Sequence, residues 1–268
     1  MLYISPSLVI SEPDYTSLTY PAFLWDNTFG VGDVTADYED ADYPATNLAN
    51  PQTSSLWKSS GTADQNLLFA VASDEEIDCV GIARHNFGST GVLVTIKGTT
   101  AGAGGVFTTL AELSPGDDAP IMAFFDADFY TEIKLFLEPA ATAPQAAVVY
   151  IGTALKMPRS TPPGFTLLKD GLNRQTQVNI AENGDFLGDI VVSERLDTTV
   201  DFKLLEGDWY RSDMRPFVQS SEPFFFAVSP TTLPDEVGFC KFGSVPRGVV
   251  NQFTGQTDVS IPLVGLAL

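Results

Sequence analysis

Leu67-Leu-Phe-Ala-Val71, Cys79-Val-Gly-Ile-Ala83, Val92-Leu-Val-Thr-Ile96, Ile133-Lys-Leu-Phe-Leu137 and Val148-Val-Tyr-Ile151 decide the fold of this chain. Each is a short run of β-branched, aromatic or other apolar residues. Clusters of Gly, Asp, Pro and Ser separate them, which is the pattern of strands joined by turns. No long stretch between them holds a helical period. Several strands at this spacing imply a β-sandwich or barrel. The ten-residue run from Ala146 to Leu155 is too short to cross a bilayer and reads as a buried strand.

Working outward, two breaks frame these strands. The acidic stretch Asp33 to Asp42 leads into Tyr43-Pro44, and Lys156-Met-Pro-Arg-Ser-Thr-Pro-Pro-Gly164 reads as an extended connector. The reading divides the chain into an N-terminal segment 1–36, a sandwich domain 37–157 expected to fold alone, and a C-terminal β domain 158–268. The N-terminal segment is expected to complete one of the two, either the sandwich or, with the sandwich inserted between them, the C-terminal domain. In that last part, Glu182-Asn-Gly-Asp185 sets Asn-Gly between two strand-like runs and predicts a type I′ hairpin. Residues 208–220 predict one short helix capped by Asp208, against which Pro216 argues. Strands are expected again at Phe224-Phe-Phe-Ala-Val228 and Val237-Gly-Phe-Cys-Lys-Phe242.

Of 268 residues, 44% are hydrophobic and 18% charged, so a packed core is expected and disorder is not. The formal charge is −20. A coat that acidic repels phosphate, which argues against specific nucleic-acid binding and against anionic membrane surfaces. No membrane insertion and no secretion signal are expected. The first 57 residues carry eight acids and no Lys or Arg, whereas 156–268 carry fourteen acids and ten bases. The C-terminal part is therefore the most charge-balanced and the best suited to subunit contacts.

Chemistry-bearing patterns are sparse. His85 is the single histidine, in Ala83-Arg-His-Asn-Phe87, and reads as a hydrogen-bonded residue at a strand-to-loop corner rather than a catalytic base. Cys79 and Cys240 form neither a disulfide framework nor a metal motif and are expected as free thiols. Gly98-Thr-Thr-Ala-Gly-Ala-Gly-Gly105 lacks the Gly-Lys-Ser/Thr of a phosphate loop and reads as an inter-strand loop. The acid clusters Asp37/Glu39/Asp40/Asp42, Asp74/Glu75/Glu76/Asp78, Asp117/Asp118 and Asp126/Asp128 follow no calcium-loop pattern and read as solvated loop faces. No catalytic residue, cofactor or metal is assigned, and the chain is read as a non-enzyme.

One stretch is more distinctive. Tyr43-Pro-Ala-Thr-Asn-Leu48, Asn50-Pro-Gln-Thr53 and Leu56-Trp-Lys-Ser59 run into Asp78-Cys-Val-Gly-Ile-Ala-Arg-His-Asn-Phe87. This resembles the galactose-binding-like (discoidin-like) β-sandwich domains of tailed-phage structural proteins. The resemblance implies Trp57 as a core anchor, Asn47 and Asn50 as turn residues, and His85-Asn86 as the end of a buried strand. The segments Asn183-Gly-Asp-Phe-Leu-Gly188, Asp201-Phe-Lys-Leu-Leu205, Trp209, Phe217 and Glu222-Pro-Phe-Phe-Phe226 look similar to a tail-tube or distal-tail domain, a β-sandwich with a flanking helix. Together they imply a structural component of a phage tail tip or baseplate, made in the host cytoplasm and carried in the virion. Its partners would be further copies in a ring, the tail tube and hub, and host surface glycans. Phe224, Phe225 and Phe226 are expected in core or subunit interface. The alternatives are a carbohydrate-binding host-attachment module and a glycan depolymerase.

Overall fold

The computed structural model describes residues 2–4, 18–71 and 75–266. Asp74, residues 5–17 of the expected N-terminal segment and the last two residues lie outside the described residues. The first half of the chain supplies β1 (Leu2–Ile4), β2 (Ala22–Leu24), β3 (Val34–Ala36), β4 (Trp57–Lys58), β5 (Gln65–Ala70), β6 (Ile77–Ala83), β7 (Leu93–Thr100), β8 (Thr108–Leu113), β9 (Ile121–Asp128) and β10 (Tyr130–Glu138). The second half supplies β11 (Gln145–Ala146), β12 (Val148–Gly152), β13 (Leu155–Lys156), β14 (Leu172–Ile180), β15 (Phe186–Leu205), β16 (Phe224–Ser229), β17 (Leu233–Phe242), β18 (Arg247–Val250) and β19 (Thr257–Leu266).

These strands form three stacked sheets and a small two-stranded one, β11-β4. A five-stranded outer sheet runs β3-β5-β10-β7-β8, and a four-stranded middle sheet runs β1-β9-β6-β12. The third sheet runs β13-β2-β16-β17-β19-β15-β14, with β18 beside β19. The outer sheet alternates: Leu67, Phe69, Ile133, Leu135, Val94 and Ile96 point inward, as expected of a sheet with one wet face. The middle sheet does not alternate. All seven residues of β6 and all five of β12 are buried, because this sheet has a core on each side.

Register explains how. Val80, Ile82, Ala123, Phe125, Val149 and Ile151 pack toward the outer sheet around Trp57. Their neighbours Cys79, Ala83, Met122, Phe124, Val148 and Tyr150 pack the other way, against Leu24, Phe225, Ala227, Val237 and Phe239 of the third sheet. Residues on the middle sheet's second face include Cys79, Gly81 and Ala83, which are small. A Cβ on Gly81 would lie 2.6 Å from a ring carbon of Phe225, so the absent side chain is what admits the ring. Tyr150 meets Phe225 and Phe239 edge-on, with centroids 5.6 and 6.0 Å away. At the rim of this seam, Lys156 Nζ lies 2.6 Å from buried Asp78, whose other oxygen accepts the Ala154 amide at 2.8 Å.

The far face of the third sheet holds a separate core. Phe23 stacks on Phe226 at 4.7 Å, and Phe217 meets Phe224 edge-on at 4.8 Å. Phe217 comes from the helical segment that covers this face. That segment is capped two residues earlier than expected: Glu206, not Asp208, is its N-cap, with no side-chain cap bond. A π turn at Tyr210–Met214 then interrupts it and restarts the helix at Arg215–Ser220. Pro216 therefore falls in a first turn, where the missing amide hydrogen costs little.

The N-terminal segment is shared between the halves. β2 pairs with β16 in the third sheet, whereas β1 pairs in parallel with β9 and β3 pairs with β5. The outer sheet thus begins at Val34, ahead of residue 37. The hairpin after β14 also differs from its expected form. Gly184 has φ +89°, but Asn183 is not in the left-handed region. The amide of Gly184 donates to the Ala181 carbonyl, and Ala181 and Asp185 pair next. This is a three-residue loop, a type I turn closed by a left-handed glycine, rather than type I′, which needs positive φ at both central positions.

The seam predicts a coupled pair. Gly81→Ala is expected to lower the unfolding free energy by about 1–3 kcal/mol through overpacking. Adding Phe225→Leu should return part of that loss, so urea unfolding of the two single variants and the double variant gives a non-additive cycle. Additive effects would mean that Gly81 and Phe225 do not meet.

Candidate functional site

Trp57 is fully buried between the outer and middle sheets, on β4, which pairs with β11 through Trp57 and Ala146. Its Nε1 has no hydrogen-bond partner. It is a core anchor, with no face free for a ligand. The turn leading to it is held by Asn47, whose Nδ2 donates to the Leu56 carbonyl at 2.7 Å, and by Asn50, whose Oδ1 accepts the Gln52 amide at 3.0 Å.

His85 and Asn86 form a bracket between loops. His85 Nε2 donates to the Ala119 carbonyl at 2.9 Å, and Nδ1 accepts the Phe87 amide at 3.2 Å. This assigns the neutral Nε2–H tautomer. Asn86 donates to the Ala143 carbonyl at 3.1 Å and accepts the Gln145 amide at 2.9 Å. Nearby, Asp118 accepts the Ser89 amide at 2.8 Å. Burial pushes the His85 pKa down to about 4, against the smaller raising effects of its Ala119 bond and Asp118. With both nitrogens engaged inside the protein, the ring has no lone pair to offer a substrate.

The remaining aromatics expected as site residues are packing residues. Phe224 and Phe226 lie in the core under the helical segment, and Phe225 lies in the seam. All three are fully buried, so of the two places expected for them they occupy the core. Trp209 is half-buried against the same core. Cys79 and Cys240 are buried free thiols, and burial raises both above the ordinary cysteine range. Gly98 to Gly105 ends β7, passes through a short 3-10 turn and two left-handed glycines, and leads toward β8. Among the described residues, no group of three or more His, Cys, Asp or Glu is arranged to hold a metal ion.

The carboxylates act mostly as turn acceptors, and on one loop this fixes a surface. Asp37 accepts both the amide and the side-chain nitrogen of Asn66, at 2.8 and 2.7 Å. The Asp40 amide donates to Lys58, and the Tyr43 amide donates back to Asp40, forming an isolated bridge. Glu39 accepts the Ala45 amide at 2.8 Å. The loop 37–43 is thereby pinned at both ends while Tyr38 and Tyr43 stay 46% and 41% exposed. Asp42 is also exposed. Two exposed tyrosines and exposed acids thus stand together on a backbone that is already ordered. The acids of this loop stand out in the sequence. The two tyrosines were the missed signal: large aromatics interleaved with acids in a segment with no strand pattern.

No protein-family model and no curated protein matches the chain. Solved structures similar to part of it include the CpGH89CBM32-5 module from Clostridium perfringens in complex with GalNAc-β-1,3-galactose. That module is 16% identical, with a TM-score of 0.41, and covers 47% of this chain and 99% of its own. A pectin-binding carbohydrate-binding module is 17% identical at a TM-score of 0.40, over 48% of this chain and 93% of its own. Chitosan-binding module 1 from Paenibacillus sp. IK-5 is 14% identical at 0.39, over 51% and 98%. At these values the likeness assigns neither a family nor a ligand to this chain.

Two measurements check these placements. Trp57→Ala is expected to cost about 3–5 kcal/mol in a urea unfolding experiment, and a near-neutral result would put the indole at the surface. For His85, the unfolded chain takes up a proton below pH 6.5 that the folded protein refuses until about pH 4. Stability is therefore complete above pH 6.5 and falls as pH drops toward 4, by on the order of 3 kcal/mol from this group. His85→Gln removes that contribution, so the wild-type advantage at pH 7 should shrink by about this amount at pH 4. A constant difference would show that the ring titrates normally.

Proposed function

We propose that this chain is a non-catalytic, carbohydrate-binding attachment module. The observation that carries the reading is the ordered loop 37–43, with Tyr38 and Tyr43 exposed beside Asp37, Glu39, Asp40 and Asp42. A tyrosine face packs against the C–H face of a sugar ring, and carboxylates accept bonds from its hydroxyls. The loop contains four acids and no Lys or Arg of its own, with Lys58 the one base paired beside it, on a chain of charge −20. Uronates and sulfated glycans are repelled there, so the ligand class is a neutral or amino-sugar glycan.

A second reading has its own observation in favour. The C-terminal sheet extends a long hairpin with uncovered apolar side chains, a feature that suits a subunit of an assembly. In this reading the chain is part of a tailed-phage tail tip, a ring protein between tail tube and hub. The two roles are compatible, since a tip subunit can carry the glycan-binding surface. Stoichiometric presence of the chain in purified particles tests this setting.

A glycan array followed by calorimetry on the whole chain tests the first reading. Tyr38→Ala and Tyr43→Ala are each expected to weaken the neutral-glycan interaction by about tenfold, with the unfolding midpoint unchanged. Equal affinity in the variants, or binding confined to anionic glycans, would overturn it.

A further inference from the structure

We infer that a cleft at the rim of the seam, between Arg84 at the end of β6 and Arg195 of the third sheet, binds a small oxyanion group, a carboxylate or a sulfate, through the two guanidinium groups. The inference goes beyond the glycan reading and does not rest on it. It starts from the backbone. Arg84 directly follows β6 and has φ +56°. A left-handed backbone is disfavoured for any residue with a Cβ, and glycine is the residue that takes it freely. Such a conformation persists only where the surroundings impose it. Here the next two residues are both pinned. His85 is held between Ala119 and Phe87, and Asn86 is tied to Ala143 and to both backbone polar groups of Gln145.

What the conformation achieves is a change of direction. Ala83 packs into the seam. In a regular strand the next side chain points to the opposite face, which here is the core around Trp57. Positive φ breaks that alternation, and Arg84 instead lines a cavity of about 190 Å³ together with Arg195 and Leu266. Register brings Arg195 to the same place. Leu196 faces Gly265, so Arg195 stands one step on, in the row of Leu266, Phe239 and Phe225. The apolar row of the seam thus ends on one guanidinium group, and the other half of the molecule supplies the second.

The neighbouring acids leave these two groups with donors to offer. Glu194 also lines the cavity, but Arg174 engages it through two bonds of 3.0 and 3.3 Å. Asp197 reaches one Arg195 nitrogen at 3.5 Å, and a guanidinium has further N–H donors. On the Arg84 side, Asp117 accepts the Ala119 amide and lies 3.4 Å from Lys169, and Asp118 accepts the Ser89 amide. Among the described residues, the Arg84 side chain has no hydrogen-bond or ion-pair partner. On a chain with 34 acids and 14 bases, an arginine without a carboxylate, on a strained backbone and beside a second arginine, fits an oxyanion from outside, because each planar fork donates to two oxygens at once. The cavity is smaller than those that take drug-sized ligands, so the ligand is a single sugar ring carrying the anion, or the free anion.

Calorimetry on the whole chain, at an ionic strength fixed with sodium chloride, tests this with glucuronate and sulfate as probes. The wild type is expected to bind at least one of them saturably, with a Kd on the order of 1 mM. Arg84→Gly and Arg195→Gln are each expected to weaken that binding about tenfold. Arg84→Gly should at the same time leave the urea midpoint of the anion-free protein at or above that of the wild type, because glycine adopts this backbone without strain. Tighter binding of glucuronate supports a carboxylate-bearing sugar, and tighter binding of sulfate supports the inorganic anion. Unchanged affinity in both variants, or no binding to the wild type up to on the order of 50 mM, would overturn the inference. A midpoint of Arg84→Gly well below the wild type would also overturn it, since the side chain would then be a packing residue. Tyr38→Ala should leave the anion affinity unchanged; a loss there would place the anion on the loop 37–43 and overturn the cleft, whereas the glycan reading is tested separately by neutral sugars.

Discussion

The structure depends on a sheet with two dry faces. β9, β6 and β12 lie between two other sheets, so each alternate residue must suit a different neighbour. One face is filled by Val80, Ile82, Phe125, Val149 and Ile151 against Trp57 and the outer sheet. The other is partly made of small residues, and Phe225 fills the space over Gly81. Burying apolar surface on both sides is worth roughly 25 cal/mol for each Å² removed from water. Separating the halves would return the whole second face to solvent. The middle sheet therefore binds two apparent domains into one packed body, and the Lys156–Asp78 pair closes its rim.

This arrangement determines what each end of the molecule has free. The outer sheet keeps a wet face, and its loops carry the fixed, acidic, tyrosine-bearing surface at 37–43. The third sheet has both faces covered near its middle, by the seam and by the helical segment, but it outruns that cover at both ends. There the β14–β15 hairpin and the β18–β19 hairpin leave apolar side chains in water. The layer order thus leaves different surfaces free on the two halves, an acidic tyrosine-bearing loop on one and uncovered apolar strands on the other.

Much of this was legible in the chain. The apolar run containing Val148 to Ile151 reads as a buried strand, and Cys79 to Ala83 reads as a strand whose burial the resemblance implies; both are buried. What covers a strand's second face is not written in the strand, so the third layer was hidden. Its clue was local: Phe224, Phe225 and Phe226 are adjacent, and neighbours in a strand point to opposite faces, so three consecutive phenylalanines require a core on each side. The parallel pairing of Leu2–Ile4 with β9 is a long-range contact with no local signature. The Asn-Gly turn was visible as a hairpin, but the residues that set its loop length lie in the strand register, not in the dipeptide. His85-Asn86 stood out as a motif, and its role as a bracket between loops appears only once Ala119 and Ala143 are brought beside it.

Native-state hydrogen exchange across the seam tests the central claim most directly. If the middle sheet joins both halves into one cooperative body, the slowest amides of β6 and β12 and those of β16 and β17 should open with the same free energy and the same denaturant dependence. Two distinct global openings, one for each half, would contradict the account and restore two independent domains.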